Sequence, residues 1–87
     1  MIWLPLESQM FTSAAYDEEK RTLYLRFRSG DVYRYFEFFN DAYQQFLSAE
    51  SKGRYFLSNI RNCFRYERMA KLRDRLITSR RPPFEPL

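Results

Sequence analysis

The clearest pattern in the chain is a pair of alternating runs. Residues 22–27 read Thr22, Leu23, Tyr24, Leu25, Arg26, Phe27, and residues 31–36 read Asp31, Val32, Tyr33, Arg34, Tyr35, Phe36. Both are rich in aromatic and branched side chains and alternate large apolar with polar positions, the period-two signature of half-buried strands. Arg28, Ser29 and Gly30 separate them, and glycine tolerates the positive φ that a tight hairpin needs. A two-stranded ribbon alone is marginal in water. The rest of the chain must therefore cover one face of this hairpin or extend its edges.

Loop length decides which side chains are buried. A two-residue Ser29–Gly30 loop sets Leu25 opposite Arg34 and pushes a guanidinium into the apolar face. A three-residue loop with Gly30 left-handed sets Phe27 opposite Asp31, Leu25 opposite Tyr33 and Leu23 opposite Tyr35. A one-residue slip exchanges the faces of one strand, and burying an unpaired guanidinium is costly. The three-residue loop is therefore expected, with Leu23, Leu25, Phe27, Tyr33 and Tyr35 on the core face and Tyr24, Arg26, Val32 and Arg34 on the outer face.

Around the hairpin, Trp3, Leu4 and Leu6 form a short extended segment about Pro5, and residues 10–16 read as a first strand, with a polar turn at 17–21. Asn40 is a candidate N-cap with Asp41 in the first turn, and Phe39 can staple onto Tyr43. The helix that follows runs to about Ala49, with Tyr43, Phe46 and Leu47 as its apolar stripe. Ser51 caps a second short helix with Phe56 and Ile60 facing inward. Gly53 in its first turn disfavours the helix, which points to a packing or contact role. Residues 63–68 read either as an edge strand or as the start of a helix. Met69, Leu72, Leu76 and Ile77, with Lys71, Arg73 and Arg75 between them, predict a basic amphipathic helix over 69–79, closed by a proline-rich tail. The fold class expected is α+β: a small antiparallel sheet of three or four strands with two short helices and a C-terminal helix. The division is a domain at 1–68 and a basic helix and tail at 69–87. The predicted core is Leu23, Leu25, Phe27, Tyr43, Phe46, Leu47, Phe56 and Ile60.

Composition narrows the chemistry. Eighty-seven residues make one small domain, with modest stability expected from so small a core. There is no histidine, so the commonest general base and the commonest metal ligand are missing. With no acid–base pair visible, the chain reads as a non-enzyme without cofactor or metal. The single cysteine, Cys63, excludes an internal disulfide and fits a reducing, cytoplasmic setting. It reads as a buried structural thiol. No apolar run approaches the ~20 residues of a membrane span. The charge is uneven: residues 1–50 carry five basic and eight acidic side chains, residues 51–87 ten and three. A one-sided basic surface suits a polyanion; the plain alternative is solubilising charge.

Several residues together carry a resemblance. Ser8, Tyr16–Asp17, Thr22–Leu23, Phe27, Ser29–Gly30, Tyr33–Arg34–Tyr35, Tyr43, the run Ser51, Lys52, Gly53, Arg54, Tyr55, Phe56, then Ile60–Arg61 and Tyr66–Glu67–Arg68 resemble the KTSC domain, a small module named for its place at the C-terminus of some lysyl-tRNA synthetases. The likeness covers roughly residues 6–69 and implies an α+β fold. The synthetase context implies RNA binding as the usual suggestion.

On the residues themselves, Arg26, Arg34, Lys52, Arg54 and Arg61, with Tyr24, would suit single-stranded nucleic acid if they share one surface, because charge tracks phosphate and rings stack on bases. Tyr33 and Tyr35 are either a stacking platform or core. Ser51–Lys52–Gly53 at a helix start lacks the rest of a phosphate loop, and Asp17, Glu18 and Glu19 read as a solvated turn. The expected function is a non-catalytic binding module for RNA or single-stranded nucleic acid, monomer or homodimer, with no membrane association. The alternative is a protein-interaction or regulatory module acting through the basic C-terminal helix.

Overall fold

The structure is a computed structural model and describes residues 1–69. Five strands lie in one antiparallel sheet in chain order: β1 (Trp3–Pro5), β2 (Phe11–Asp17), β3 (Thr22–Phe27), β4 (Val32–Tyr35) and β5 (Tyr66–Met69). Two helices, α1 (Asn40–Ser48) and α2 (Lys52–Asn59), interrupt the meander between β4 and β5. They cover one face of the sheet: Phe46 of α1 and Phe56 of α2 meet Phe11 edge-on at 5.8 and 5.3 Å, and Tyr43 stacks on Tyr16 at 4.7 Å.

The hairpin has the three-residue loop. The Phe27 N–H donates to the Asp31 carbonyl at 2.8 Å, Gly30 sits at φ 97°, and Leu25 pairs with Tyr33 and Leu23 with Tyr35. Leu23 and Leu25 are fully buried, while Arg26 and Arg34 face away from the helices.

The sheet is larger than the three or four strands expected. The segment around Pro5 pairs with β2 as a short edge strand, which leaves the proline at the sheet edge where its missing N–H is tolerated. The ambiguous stretch at 63–68 resolves into turn and strand, because β4 still has a free edge and β5 fills it in antiparallel register. Met69 is the last residue of β5 and not the first of a helix. The remainder of the expected helix, and the proline-rich tail, lie outside the described residues.

A bulge at Thr12 explains a core residue that alternation alone misses. Phe11 pairs with Phe27 and Ser13 with Arg26, so the extra residue puts Phe11 on the helix side and Ser13 on the outer side. Phe11, Ala14 and Phe38 are fully buried and join the expected Leu23, Leu25, Tyr43, Phe46, Phe56 and Ile60. Phe27 and Leu47 are only partly buried.

The helix starts divide between expectation and correction. Ser51 caps α2, its hydroxyl accepting from the Arg54 N–H at 3.2 Å. Asn40, by contrast, is already helical. Phe39 holds the cap position without a side-chain bond, and Asn40 instead accepts from Gln44 at 3.1 Å. The staple moves with it: buried Phe38, not Phe39, precedes the cap and shares the core with Tyr43. Gly53 lies against Met10, whose methyl would sit 3.4 Å from an added Cβ. Cys63 is exposed rather than buried, because the turn after α2 faces outward.

Two outcomes test this packing. Leu25→Ala should cost about 2–5 kcal/mol in urea unfolding, the range for a buried leucine; a loss below about 1 kcal/mol would put Leu25 on the surface. Burial raises the Tyr35 and Tyr43 phenols above the usual tyrosine value. A folded-state value above the unfolded one means that the stabilisation is complete below about pH 10 and drains as the unfolded phenols ionise. The urea midpoint should therefore fall above about pH 10, and Tyr35→Phe should flatten that fall; an unchanged slope would contradict it.

Candidate functional site

The helix-free face of the sheet carries a cross-strand row of Trp3, Ala15, Tyr24, Arg34 and Glu67. Small, fully buried Ala15 forms the floor between the Trp3 and Tyr24 rings, whose centroids are 6.3 Å apart. In the next row Arg26 lies over the Trp3 ring at 4.7 Å. Arg34 donates through Nε to Glu67 at 2.7 Å and lies 5.5 Å from the centre of Phe36. The Glu67 hydrogen bond first, and then Tyr24, holds the Arg34 guanidinium still more firmly protonated than usual. Arg65, reached from the last turn before β5, lies 4.5 Å from the same Phe36 ring. Three rings thus alternate with three guanidiniums across an open sheet, a composition that can stack bases and meet phosphates.

The six residues expected at the site are divided. Tyr24, Arg26 and Arg34 come together here. Lys52 and Arg54 lie on the helical layer at the start of α2, beside a groove of about 1040 Å³ that Ser8 and Arg28 also line. Lys52 donates to the Ala49 carbonyl at 3.0 Å, and Arg28 to the Ser8 carbonyl at 2.8 Å. Arg61 follows the other end of α2. Trp3, Phe36 and Arg65 join the open face without having been read from the sequence. The pairing of β1 and the approach of Arg65 are long-range contacts that local periodicity does not encode. The charge is also less one-sided than the halves suggest: residues 1–69 hold ten basic and nine acidic side chains, so most of the excess belongs to residues 70–87.

On the helix side, Tyr35 is core, as one of the two readings expected, and Tyr33 packs half-buried against it. They stack along β4 with centroids 6.4 Å apart, and Tyr66 of β5 packs 5.8 Å from each. Phe27 and Phe56 close the wall, at 5.5 Å from Tyr33 and 5.8 Å from Tyr35. The result is a cleft of about 550 Å³, with Arg61 and Asn62 on its rim. At its other end Asp31 accepts from Arg68 at 2.9 Å. Asp17 is occupied in its own turn, where it accepts from the Lys20 N–H at 3.1 Å.

Comparison with known proteins agrees with this architecture. A crystal structure of a KTSC domain protein from Yersinia pestis superposes with a TM-score of 0.77 at 33% identity, covering 79% of this chain and 97% of that one. A protein of Tsukamurella paurometabola is 36% identical over 61 residues, 70% of this chain and 91% of its own length. The family model of the KTSC domain matches residues 7–66, from just before the bulge to the first residue of β5. With most of its length in that match and its sheet and helices in that arrangement, the chain belongs to the KTSC domain family.

Proposed function

We propose that this KTSC domain is a non-catalytic module that binds single-stranded RNA or DNA across the open face of its sheet. One observation supports the reading most strongly: the Trp3, Tyr24 and Phe36 rings alternate with the Arg26, Arg34 and Arg65 guanidiniums on the face that no helix of residues 1–69 covers. Rings displayed on a sheet stack bases without demanding a sequence. The arginines between them follow the backbone charge, and each phosphate they neutralise releases a counterion. Arg26 and Arg34 keep roles assigned from the sequence; Lys52 and Arg54 lie on the other layer and stay outside this surface.

Trp3 is the only tryptophan, so its fluorescence reports this face alone. Titration with a mixed-sequence single-stranded oligonucleotide at about 50 mM salt, where phosphate-driven affinity is strong, should quench it saturably. Trp3→Ala should weaken binding, followed by anisotropy of a labelled strand, by about 1–3 kcal/mol, the worth of one stacked base. Arg65→Ala should reduce the slope of log K against log salt by about 0.7, one single-strand phosphate. Absence of binding to RNA and DNA at that salt would refute the reading and leave a protein partner as the alternative.

A further inference from the structure

The tyrosine cleft on the helix side is a second, separate feature, and the open-face reading does not use it. Its floor is aromatic, from Phe27, Tyr33, Tyr35, Phe56 and Tyr66. Its volume of about 550 Å³ lies within the ~300–1,000 Å³ of small-molecule sites. Tyr35 is almost wholly buried, yet Tyr66 beside it is 55% exposed, so one wall is open to an incoming ring. None of the three phenol oxygens is a buried atom lacking a partner. Burial is the main cause that raises the Tyr35 phenol; Tyr33 and Tyr66 raise it further and Arg61 opposes them, which places all three neighbours within electrostatic reach of that hydroxyl.

Arg61 supplies the charge. The two ion pairs among the described residues join Arg34 to Glu67 and Arg68 to Asp31, and Arg61 takes part in neither. It is held at the end of α2, its backbone N–H donating to the Phe56 carbonyl at 2.9 Å. There the negative end of the helix favours a cation. A flat aromatic surface, phenol hydroxyls able to donate, the Asn62 amide and a guanidinium with no ion pair among the described residues thus meet at one opening. An apolar ligand would leave the guanidinium and hydroxyls without partners, and a bare anion would leave the rings uncovered.

We infer that the cleft between Tyr66 and Arg61 binds a planar aromatic anion of mononucleotide size, with the ring against Tyr66 and Tyr33 and the phosphate on Arg61 and the tyrosine hydroxyls. The same chemistry is offered by a free nucleotide and by the 5′-phosphorylated end of a strand.

The test is a two-dimensional amide NMR titration of the full chain with adenosine 5′-monophosphate, and separately with adenosine. The monophosphate should shift the Tyr33, Tyr35, Arg61, Asn62 and Tyr66 amides saturably. Arg61→Gln changes an exposed side chain and should leave the spectrum folded, weaken the monophosphate about fivefold and leave adenosine unaltered. Tyr66→Ser should weaken both. A short 5′-phosphorylated oligonucleotide that binds more tightly than the monophosphate assigns the cleft to strand ends; equal or weaker binding assigns it to free nucleotide. Absence of saturable shifts at the cleft, shifts confined to Trp3 and Arg26, or an Arg61→Gln protein with unchanged affinity would each overturn the inference. Shifts confined to Trp3 and Arg26 would do so while upholding the open-face reading.

Discussion

The register of the β3–β4 hairpin is the constraint on which the rest depends. Gly30 at φ 97° closes a three-residue loop, and that single choice sends Arg26 and Arg34 to one side and Tyr33 and Tyr35 to the other. A side chain at this φ would be strained, and a shorter loop would set an arginine among the leucines of the core. Because side chains alternate with period two, no intermediate solution exists. Both candidate surfaces follow: guanidiniums among rings on the open face, and stacked phenols under the helices.

The two faces are then completed by elements far away in sequence. The Thr12 bulge turns Phe11 toward α1 and α2, where its ring meets Phe27, Phe46 and Phe56. That aromatic cluster fixes the helices against the sheet, and α2 in turn delivers Arg61 to the rim of the cleft. β5 returns along the free edge of β4, adding Tyr66 on one face and Glu67 on the other. Partner choice is divided by the same alternation: Glu67 holds Arg34 on the open face, while Arg68 reaches Asp31 on the helix side. Such exposed pairs contribute little to stability individually, so an exposed arginine held in one can still exchange its carboxylate for a phosphate.

What the sequence disclosed was local. The alternation of residues 22–36, the glycine in its loop, the Ser51 cap and the helical stripes of Tyr43, Phe46, Phe56 and Ile60 all appear in the structure because neighbouring residues determine them. Phe11 and Phe38 were missed because a bulge and a bend at Glu37 (φ 55°) override simple periodicity. Asn40 was misplaced by one position, as cap residues commonly are when no side-chain bond forms. The candidate site was legible only in part. Tyr24, Arg26 and Arg34 share a face by strand alternation, but grouping them with Lys52, Arg54 and Arg61 required knowing on which layer α2 sits. Trp3, Arg65 and Tyr66 reach their places through strand pairing across long stretches of chain, which composition and spacing do not record.

Solution NMR can examine the hairpin register directly, through contacts between α-protons of facing residues. In the register described here Arg26 faces Val32 and Tyr24 faces Arg34, and the Phe27–Asp31 hydrogen bond makes these the closely approaching, non-hydrogen-bonded pairs. Strong cross-strand α-proton contacts between Tyr24 and Arg34, and between Arg26 and Val32, are the result this structure requires. Contacts between Leu25 and Arg34, or between Phe27 and Val32, would mean a two-residue loop, exchange the faces of β4, and contradict both surfaces at once.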